Sequence, residues 1–477
     1  MYDRFFKSLI DEKHPTGEVV AVDQFIVTMH GLAPIGINAM ILFENGVQGV
    51  VSDINGVEVT VLNMDATAVS VGMLGVLQSD TLEANVGKEL VGRVISARGK
   101  PLDGKSAPAT TATWPVFHGA PSLMERQMLD QQLESGVTLV DTLFPIVLGQ
   151  RIAVIGDSKT GKTNFLLQLA GNQAKKDRVV IYVMISKNPN EIAAAIARLQ
   201  SDGSLEHTIV IATSVFDSLV ESYLVPYVAC AIGEYLWYGG TDVVVLYDDL
   251  TNHAQIHREI ALMTGVNPGR DSYPGDTFFR HSSLLERAGK LASNGKTLTA
   301  IPVVLTPGND ITAYLPTNII SIADGQIIFD PNIFKEGRRP AVNIGLSVSR
   351  VGGRAQSDYQ KSIRSSITQY LNSYRSVLEF SHFASEMAPE ARDNLHMGER
   401  IFAVLSQKKA QLYSLAAQQV MLDAILSASK TANINIDALK QYAAASTPAL
   451  DSPHEKPDVY KAALKQAIHA STVEVKK

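Results

Sequence analysis

The sequence predicts a multidomain chain. A small β-barrel, with a short helix in front, spans residues 1–80, an open α/β domain 81–355, and an α-helical bundle 356–477. Three observations predict it. Short β-rich runs separated by Asn-Gly turns fill the N-terminal part; a glycine loop near residue 156 lies between an apolar strand and a helix; beyond Asp358 the apolar residues recur only at helical spacing. At 477 residues, 45% hydrophobic and 19% charged, the protein has globular composition and is too long for one ordinary core.

Residues 1–14 read as an amphipathic helix with Phe5, Leu9 and Ile10 on one side. From Glu18 follow the runs GEVVAV, FIVTM, INAMILF, VQGVV and VEVTVL, with Asn45-Gly46 and Asn55-Gly56 between them. Asn-Gly signals a tight hairpin because both residues tolerate positive φ. Five or six such strands in so short a span predict a small closed barrel. Residues 81–150 read as a transition, with turn clusters at Arg98-Gly99-Lys100-Pro101 and Asp103-Gly104-Lys105.

After residue 150 near-continuous apolar runs (RVVIYVMI, TIVIAT, DVVVLYDD, TAIPVVLT, IISIADGQIIF) alternate with helical stretches such as 190–200 and 216–237. Parallel strands covered on both faces read this way, and ligands bind such sheets at the carboxyl ends of the strands. In the bundle, Ile363, Ile367, Tyr370, Leu371, Tyr374 and Leu378 share a helical period, as do Ile401, Leu405, Leu412, Leu415 and Met421. The tail after Ser446 is expected to be loosely ordered.

The net charge of −6 argues against a broad nucleic-acid footprint. Its one cysteine, Cys230, excludes an intramolecular disulfide and a Cys-rich metal site, and fits a reducing compartment. The acidic N-terminus lacks the apolar core of a secretory signal. No uncharged apolar stretch approaches the ~20 residues that span a membrane.

The strongest motif is Gly156-Asp157-Ser158-Lys159-Thr160-Gly161-Lys162-Thr163, followed by Asn164. It has the form G-x-x-x-x-G-K-[ST] between the apolar run Ile152–Ile155 and a helix carrying Phe165, Leu166 and Leu169. Glycines let backbone N–H groups turn inward around a phosphate, and the helix N-terminus adds its positive end. Lys162 supplies charge for the outer phosphates, and the Thr163 hydroxyl suits Mg²⁺. The implied ligand is a nucleoside di- or triphosphate.

The run Val243–Asp249 is an apolar strand ending in acid. Alone, that acid is as well explained as a turn former or helix cap. Beside a phosphate loop it suits Mg²⁺ organisation, with Asp248 holding a metal-bound water. Hydrolysis also needs a carboxylate that polarises the attacking water. In motors of this α/β kind it sits just past the strand after the phosphate-loop helix. Here that stretch reads Ile185-Ser186-Lys187-Asn188-Pro189, and the next acid, Glu191, suits a solvated helix start. Lys187 cannot be a base for water while protonated. A nucleotide site is expected, without its catalytic base. By spacing alone, Arg350 is a loop arginine whose default is a salt bridge.

The protein resembles the alpha subunit of F-type (rotary) ATP synthase over roughly residues 18–425. GDSKTGKT is similar to that family's GDRQTGKT, and YLVPYVACAIGEYL to its YLAPYSGCSMGEYF. VVVLYDDL, NPGRDSYPGD, SSLLERA, YLPTNIISIADGQI and RPAVNIGLSVSRVGG follow its signatures in order. The resemblance implies a β-barrel, a RecA-like nucleotide-binding domain and a helical bundle. It also implies a ring of three alpha and three beta subunits around a central-stalk gamma subunit, with a peripheral-stalk delta subunit.

It implies a site that binds ATP or ADP with Mg²⁺ without turnover. Lys187 falls where beta subunits carry the catalytic Glu and alpha subunits usually carry Gln. Arg350 falls on the arginine finger that crosses into the neighbouring beta site. Phe334 and Arg339 fall on the adenine pocket, and Gln407 opens the stretch replacing a QKQY-like motif near adenine. PVVLTPGND stands where PIIETQAGD is usual, and the N-terminal extension is shorter than usual. The implied setting is the cytoplasmic face of a bacterial inner membrane, or its equivalent, reached through a proton- or sodium-conducting membrane sector. Two alternatives are weighed. A homohexameric export motor needs a glutamate at position 187. An RNA translocase of the Rho type needs a barrel rich in stacking aromatics, yet residues 18–90 hold few aromatics and many acids.

Overall fold

A computed structural model describes residues 2–65, 67–381, 389–408, 411–428, 434–446 and 457–472. The protein forms two compact units, each assembled from separate stretches of sequence. One comprises Met1–Gln127, Asp177–Leu305 and Thr312–Ile322; the other comprises Met128–Lys176, Thr306–Ile311 and Ala323–Lys477.

The first unit opens with the helix Tyr2–Asp11. Phe6 and Leu9 are buried against Leu42 and Val76, whereas Phe5 and Ile10 are exposed. The buried stripe therefore runs through positions 6 and 9, correcting the expected set: an i, i+3 pair stacks on one face, and Phe5 and Ile10 flank it.

Six strands follow, Thr16–Asp23, Ile26–His30, Met40–Phe43, Gln48–Asn55, Glu58–Asn63 and Leu74–Ser79. They close into an antiparallel barrel in which the first strand pairs with the second and the sixth. Its centre is filled by residues such as Val19, Val27, Met29, Phe43 and Val61. Gly46 and Gly56 have φ of 83° and 63°, as the Asn-Gly signals require. Arg98, from the first predicted turn cluster, bonds Asp65 and, at 2.8 Å, the Gln48 side chain of the barrel.

This unit also holds parallel strands ordered Thr297–Leu305, Val243–Asp248, Val179–Lys187, Thr208–Ser214, Val94–Ile95. The four strands Val179–Lys187, Thr208–Ser214, Val243–Asp248 and Thr297–Leu305 are buried on both faces because the helices Pro189–Ser201, Leu219–Tyr238 and Leu250–Met263 cover such sheets. The expected run 319–329, by contrast, is a strand only over Gly325–Phe329, its first four residues closing the helix Tyr314–Ile322. The second helix begins at Leu219, not 216: the Ser218 side chain accepts from Val220 N, leaving Phe216 exposed ahead of the cap. This helix carries the buried Glu234, paired with Arg287 at 2.5 Å and bonded by Trp114 Nε1 at 3.0 Å. On the neighbouring strands Met184 lies opposite Asp248, which brings Lys187 and Asp248 to the same, carboxyl end of their strands.

In the second unit the strand Ala153–Gly156 runs parallel to Gly325–Phe329, and Val348–Ser349 joins the latter antiparallel. The helix Lys162–Ala174 follows the glycine loop. Five further helices, Asp358–Ser381, Pro389–Leu405, Leu415–Ser427, Ile436–Ser446 and Pro457–Ser471, make the bundle.

Two expectations change here. The apolar period from Ile401 to Met421 is broken, because helix stops at Leu405 and restarts after Ser414, whose hydroxyl accepts from Ala417 N. The tail contains the helix Pro457–Ser471, which buries Tyr460, Ala467 and Ser471. These lie at spacings of seven and four, on one buried face of the helix. Residues 447–456 and 473–477 lie outside the described residues.

Candidate functional site: a phosphate loop and its cavity

The loop is shaped by close approaches that admit only glycine. A Cβ on Gly156 would lie 2.4 Å from the Phe329 carbonyl oxygen of the parallel strand. Gly161, at φ 104° and ψ 7°, is the N-cap of the helix Lys162–Ala174 and occupies a region that side chains disfavour. Between them, Asp157 Oδ1 accepts from Ser158 N at 2.6 Å, and the Thr160 hydroxyl donates to Asp157 O at 2.8 Å. Lys159 is exposed at φ 60°. Lys162 Nζ donates to Asp157 O at 2.6 Å, so a cation is held by its own loop at a helix N-terminus with no acid in its first turn. Thr163 is exposed and Asn164 half-buried.

A cavity of about 650 Å³ opens beside this loop, lined by Thr160, Gly161, Asn164, Phe334, Arg339 and Gln407. The structure thus brings six of the expected residues together. The Arg339 guanidinium lies 3.4 Å from the centre of the Phe334 ring and donates to the Phe334 and Arg338 carbonyls. That fixes a flat cationic-aromatic wall. Gln407 is committed elsewhere. Its Oε1 accepts from Thr138 N at 2.5 Å, and its Nε2 donates to Gly136 O and Gln411 O, each at 2.9 Å. Its amide thus ties Gln411 to residues 136 and 138. Lys409 and Ala410 of that stretch lie outside the described residues.

Sequence reasoning missed Asp437 and Lys440, which also line the cavity. Lys440 Nζ donates to Ala403 O at 2.7 Å and to Ser406 O. No motif marks them, since their helix comes to the loop only through packing of the bundle.

Arg350 lies just past the strand Val348–Ser349. Its N donates to Asp324 O at 3.0 Å and its Nη1 to Ala323 O at 3.1 Å, while the residue as a whole is exposed. Gly352 and Gly353, which follow soon after it, belong to a short 3₁₀ turn. A Cβ on Gly352 would lie 2.4 Å from Pro145 O. Its role is therefore close packing.

Asp248 and Lys187 belong to the other unit. Lys187 Nζ lies 2.7 Å from Asp248 Oδ1 and 2.6 Å from Asp249 Oδ2. The Tyr182 hydroxyl donates to Asp248 Oδ2 at 2.8 Å, and Asn252 N to Asp249 Oδ1 at 2.8 Å. All four carboxylate oxygens have a donor. Asp248 is 4% exposed and Asp249 1%. Burial alone would depress Lys187, but the two carboxylates outweigh it and hold the ammonium above its usual range. The donor set tests the expected Mg²⁺ role. The exposed Thr163 hydroxyl fits a metal ligand. At Asp248 each oxygen already has a donor, and the Lys187 ammonium touches the acidic pair. Glu191, the next acid, is exposed in the first turn of its helix.

Comparison with known proteins agrees with this architecture. Residues 136–349 match the nucleotide-binding domain of the ATP synthase alpha/beta family, and residues 356–474 match the C-terminal domain of the same alpha/beta family. A relative from Dehalococcoides mccartyi named ATP synthase subunit alpha is 39% identical over 424 residues, covering 86% of this chain and 82% of its own. One from Legionella pneumophila named ATP synthase subunit alpha 2 is 37% identical over 429 residues, covering 87% and 83%.

Proposed function

This protein belongs to the ATP synthase alpha/beta family, and on that premise we propose that it is a non-catalytic alpha subunit of an F-type catalytic head. It binds ATP or ADP on the Gly156–Thr163 loop and regulates its neighbours through that occupancy. The partners are a beta subunit, in an alternating ring of three and three, a gamma central stalk and a delta peripheral stalk. The complex couples ATP synthesis or hydrolysis to proton or sodium transport, and this subunit meets the membrane only through it, on the cytoplasmic or equivalent face. Among the described residues no helix is long and apolar enough to cross a membrane. In this reading the domains divide at residues 80 and 355.

The observation that carries the reading is Lys187. Where a motor of this kind needs a carboxylate to polarise water, a lysine is locked between Asp248 and Asp249. The loop, by contrast, is complete: glycines, helix start and Lys162 are in place for a polyphosphate. When Mg²⁺ is bound with the nucleotide it neutralises phosphate charge, and Thr163 would hold it. The Phe334 and Arg339 wall suits a purine face. Arg350 acts in trans, since a planar guanidinium can bind two γ-phosphoryl oxygens of a neighbouring site at once.

The test is phosphate release by the pure full-length protein beside its ATP affinity. The expected result is ATP binding with no steady turnover. Turnover abolished by Lys162→Ala, in protein without beta subunit, would overturn the reading.

A further inference from the structure

The cavity beside the phosphate loop lies wholly within the second unit, and the helical bundle contributes to it three amides, Gln407, Gln411 and Asn435. An amide recognises adenine with both its halves, the oxygen accepting from the N6 amino group while the amino group donates to N7. Here each amide oxygen already has a donor within the protein. That of Gln407 accepts from Thr138 N, that of Gln411 from Lys408 N at 3.2 Å, and that of Asn435 from Ala438 N at 3.0 Å. Both amino hydrogens of Gln407 are spent as well, on Gly136 O and Gln411 O.

Lys440 is placed differently. It is 8% exposed, and its Nζ donates to Ala403 O at 2.7 Å and to Ser406 O, at the carboxyl end of the helix Pro389–Leu405. An ammonium carries three donors. Among the described residues these two carbonyls are its hydrogen-bond partners, which leaves one N–H for a ligand in the cavity that Lys440 lines. The segment it holds is also tied to the cationic-aromatic wall, since Gln407 N donates to Arg339 O at 2.9 Å.

We propose that Lys440 reads the base of the bound nucleotide, donating to the O6 and N7 edge of a guanine, so that this site takes guanine nucleotides at least as readily as adenine nucleotides. This rests on the reading that the Gly156–Thr163 loop binds a nucleotide whose base lies on the Phe334 and Arg339 wall. On guanine a lysine finds two acceptors side by side. On adenine the same edge sets N7 beside the N6 amino group, a donor that an ammonium cannot satisfy. Asp437, one turn earlier on the helix Ile436–Ser446, offers an acceptor to the N–H groups of either base. The discrimination therefore falls on Lys440.

The experiment is the affinity of the full-length protein for ADP, GDP and IDP, measured by calorimetry for wild type and Lys440→Gln. Wild type should bind GDP as tightly as ADP within about threefold, or more tightly. Lys440→Gln keeps a donor for the helix carbonyls and offers an oxygen to N6. Its ratio of GDP to ADP affinity should fall by about fivefold or more, the low end for one base-reading contact. A wild-type preference for ADP above threefold overturns the proposal. So does a smaller change of the ratio in the variant, including an equal loss of both nucleotides, which would make Lys440 only a cap of the helix.

If Lys440→Gln does not fold, IDP decides on the wild type. It keeps O6 and N7 and lacks the N2 amino group. An IDP affinity within about threefold of that for GDP supports the proposal, and a larger loss overturns it, because N2 would then carry the recognition. Absence of binding by all three nucleotides would sink the nucleotide reading itself. Binding of ADP with exclusion of GDP would leave that reading standing and sink only the inference.

Discussion

At the end of the strand Ala153–Gly156 a lysine leans on a carbonyl of its own loop; at the end of Val179–Lys187 another lysine lies between two carboxylates. Both strands are apolar and buried, and each leads into a helix within a few residues. The difference lies in what each cation neighbours. Lys162 donates to the Asp157 carbonyl at a helix N-terminus, where the helix adds its positive end. Lys187 is consumed by Asp248 and Asp249, and the cluster of two carboxylates and one ammonium is ion-paired within itself. One end is built to receive an anion and the other to remain as it is.

If chemistry has left this subunit's own site, its largest contribution to turnover should come from Arg350. In an assembled complex with beta subunits, Arg350→Ala should lower multi-site ATP turnover by on the order of 10³–10⁵ while beta-site nucleotide affinity stays close to wild type. Arg350→Lys should not restore it, since a point charge lacks the forked geometry. Steady-state ATPase and nucleotide titration of the same preparation check this. Turnover within a few-fold of wild type would make Arg350 only the structural arginine that bonds the Ala323 carbonyl.

The two lysines should then separate cleanly. Lys187→Leu leaves two buried carboxylates without their cation and should cost about 3–5 kcal/mol of stability, read from a denaturant midpoint. Lys162→Ala should leave the melting temperature within a few degrees of wild type yet weaken ATP by about tenfold or more. The opposite pattern, with position 162 needed for folding and 187 for affinity, would break the contrast drawn above.

A third buried acid sharpens it with a smaller effect. Asp141 is 2% exposed and accepts from Ser135 N, Ser135 Oγ, Gly136 N and Gln418 Nε2, all neutral donors. Burial outweighs these bonds and pushes its carboxyl up to about 6. Its folded value lies above the unfolded value of ~3.9. Its contribution to stability is therefore full below about pH 4 and lost as pH rises through about 6. Stability of the wild type relative to Asp141→Asn should increase between pH 7 and pH 5, on the order of 1 kcal/mol. Urea titrations at the two values check it. A flat difference would mean that the four neutral donors satisfy this carboxylate as fully as a cation would.

Short-range constraints made much of this protein legible in advance. Short β-rich runs separated by Asn-Gly turns specified the barrel, since Gly46 and Gly56 adopt positive φ. The glycines of the phosphate loop announced a strand–loop–helix, for Gly156 and Gly161 stand where a Cβ is excluded or strained. The resemblance to alpha subunits rested on ordered motifs of the same local kind. The sequence by itself also determined that position 187 carries a lysine and not an acid.

Only the tertiary structure decided what that lysine does. Its contact with Asp249 joins residues 62 apart, and Gln407 is bonded to Thr138 across 269. Neither pairing leaves a trace in local periodicity. The same holds for Phe6 in place of Phe5, for the helix break at Ser406–Ser414, and for Asp437 and Lys440 beside the loop. Propensity and spacing fix dihedral angles over a few residues. Which side chains share a buried site depends on how whole elements pack, and there a charge or an amide bonds to whatever partner the packing brings within reach.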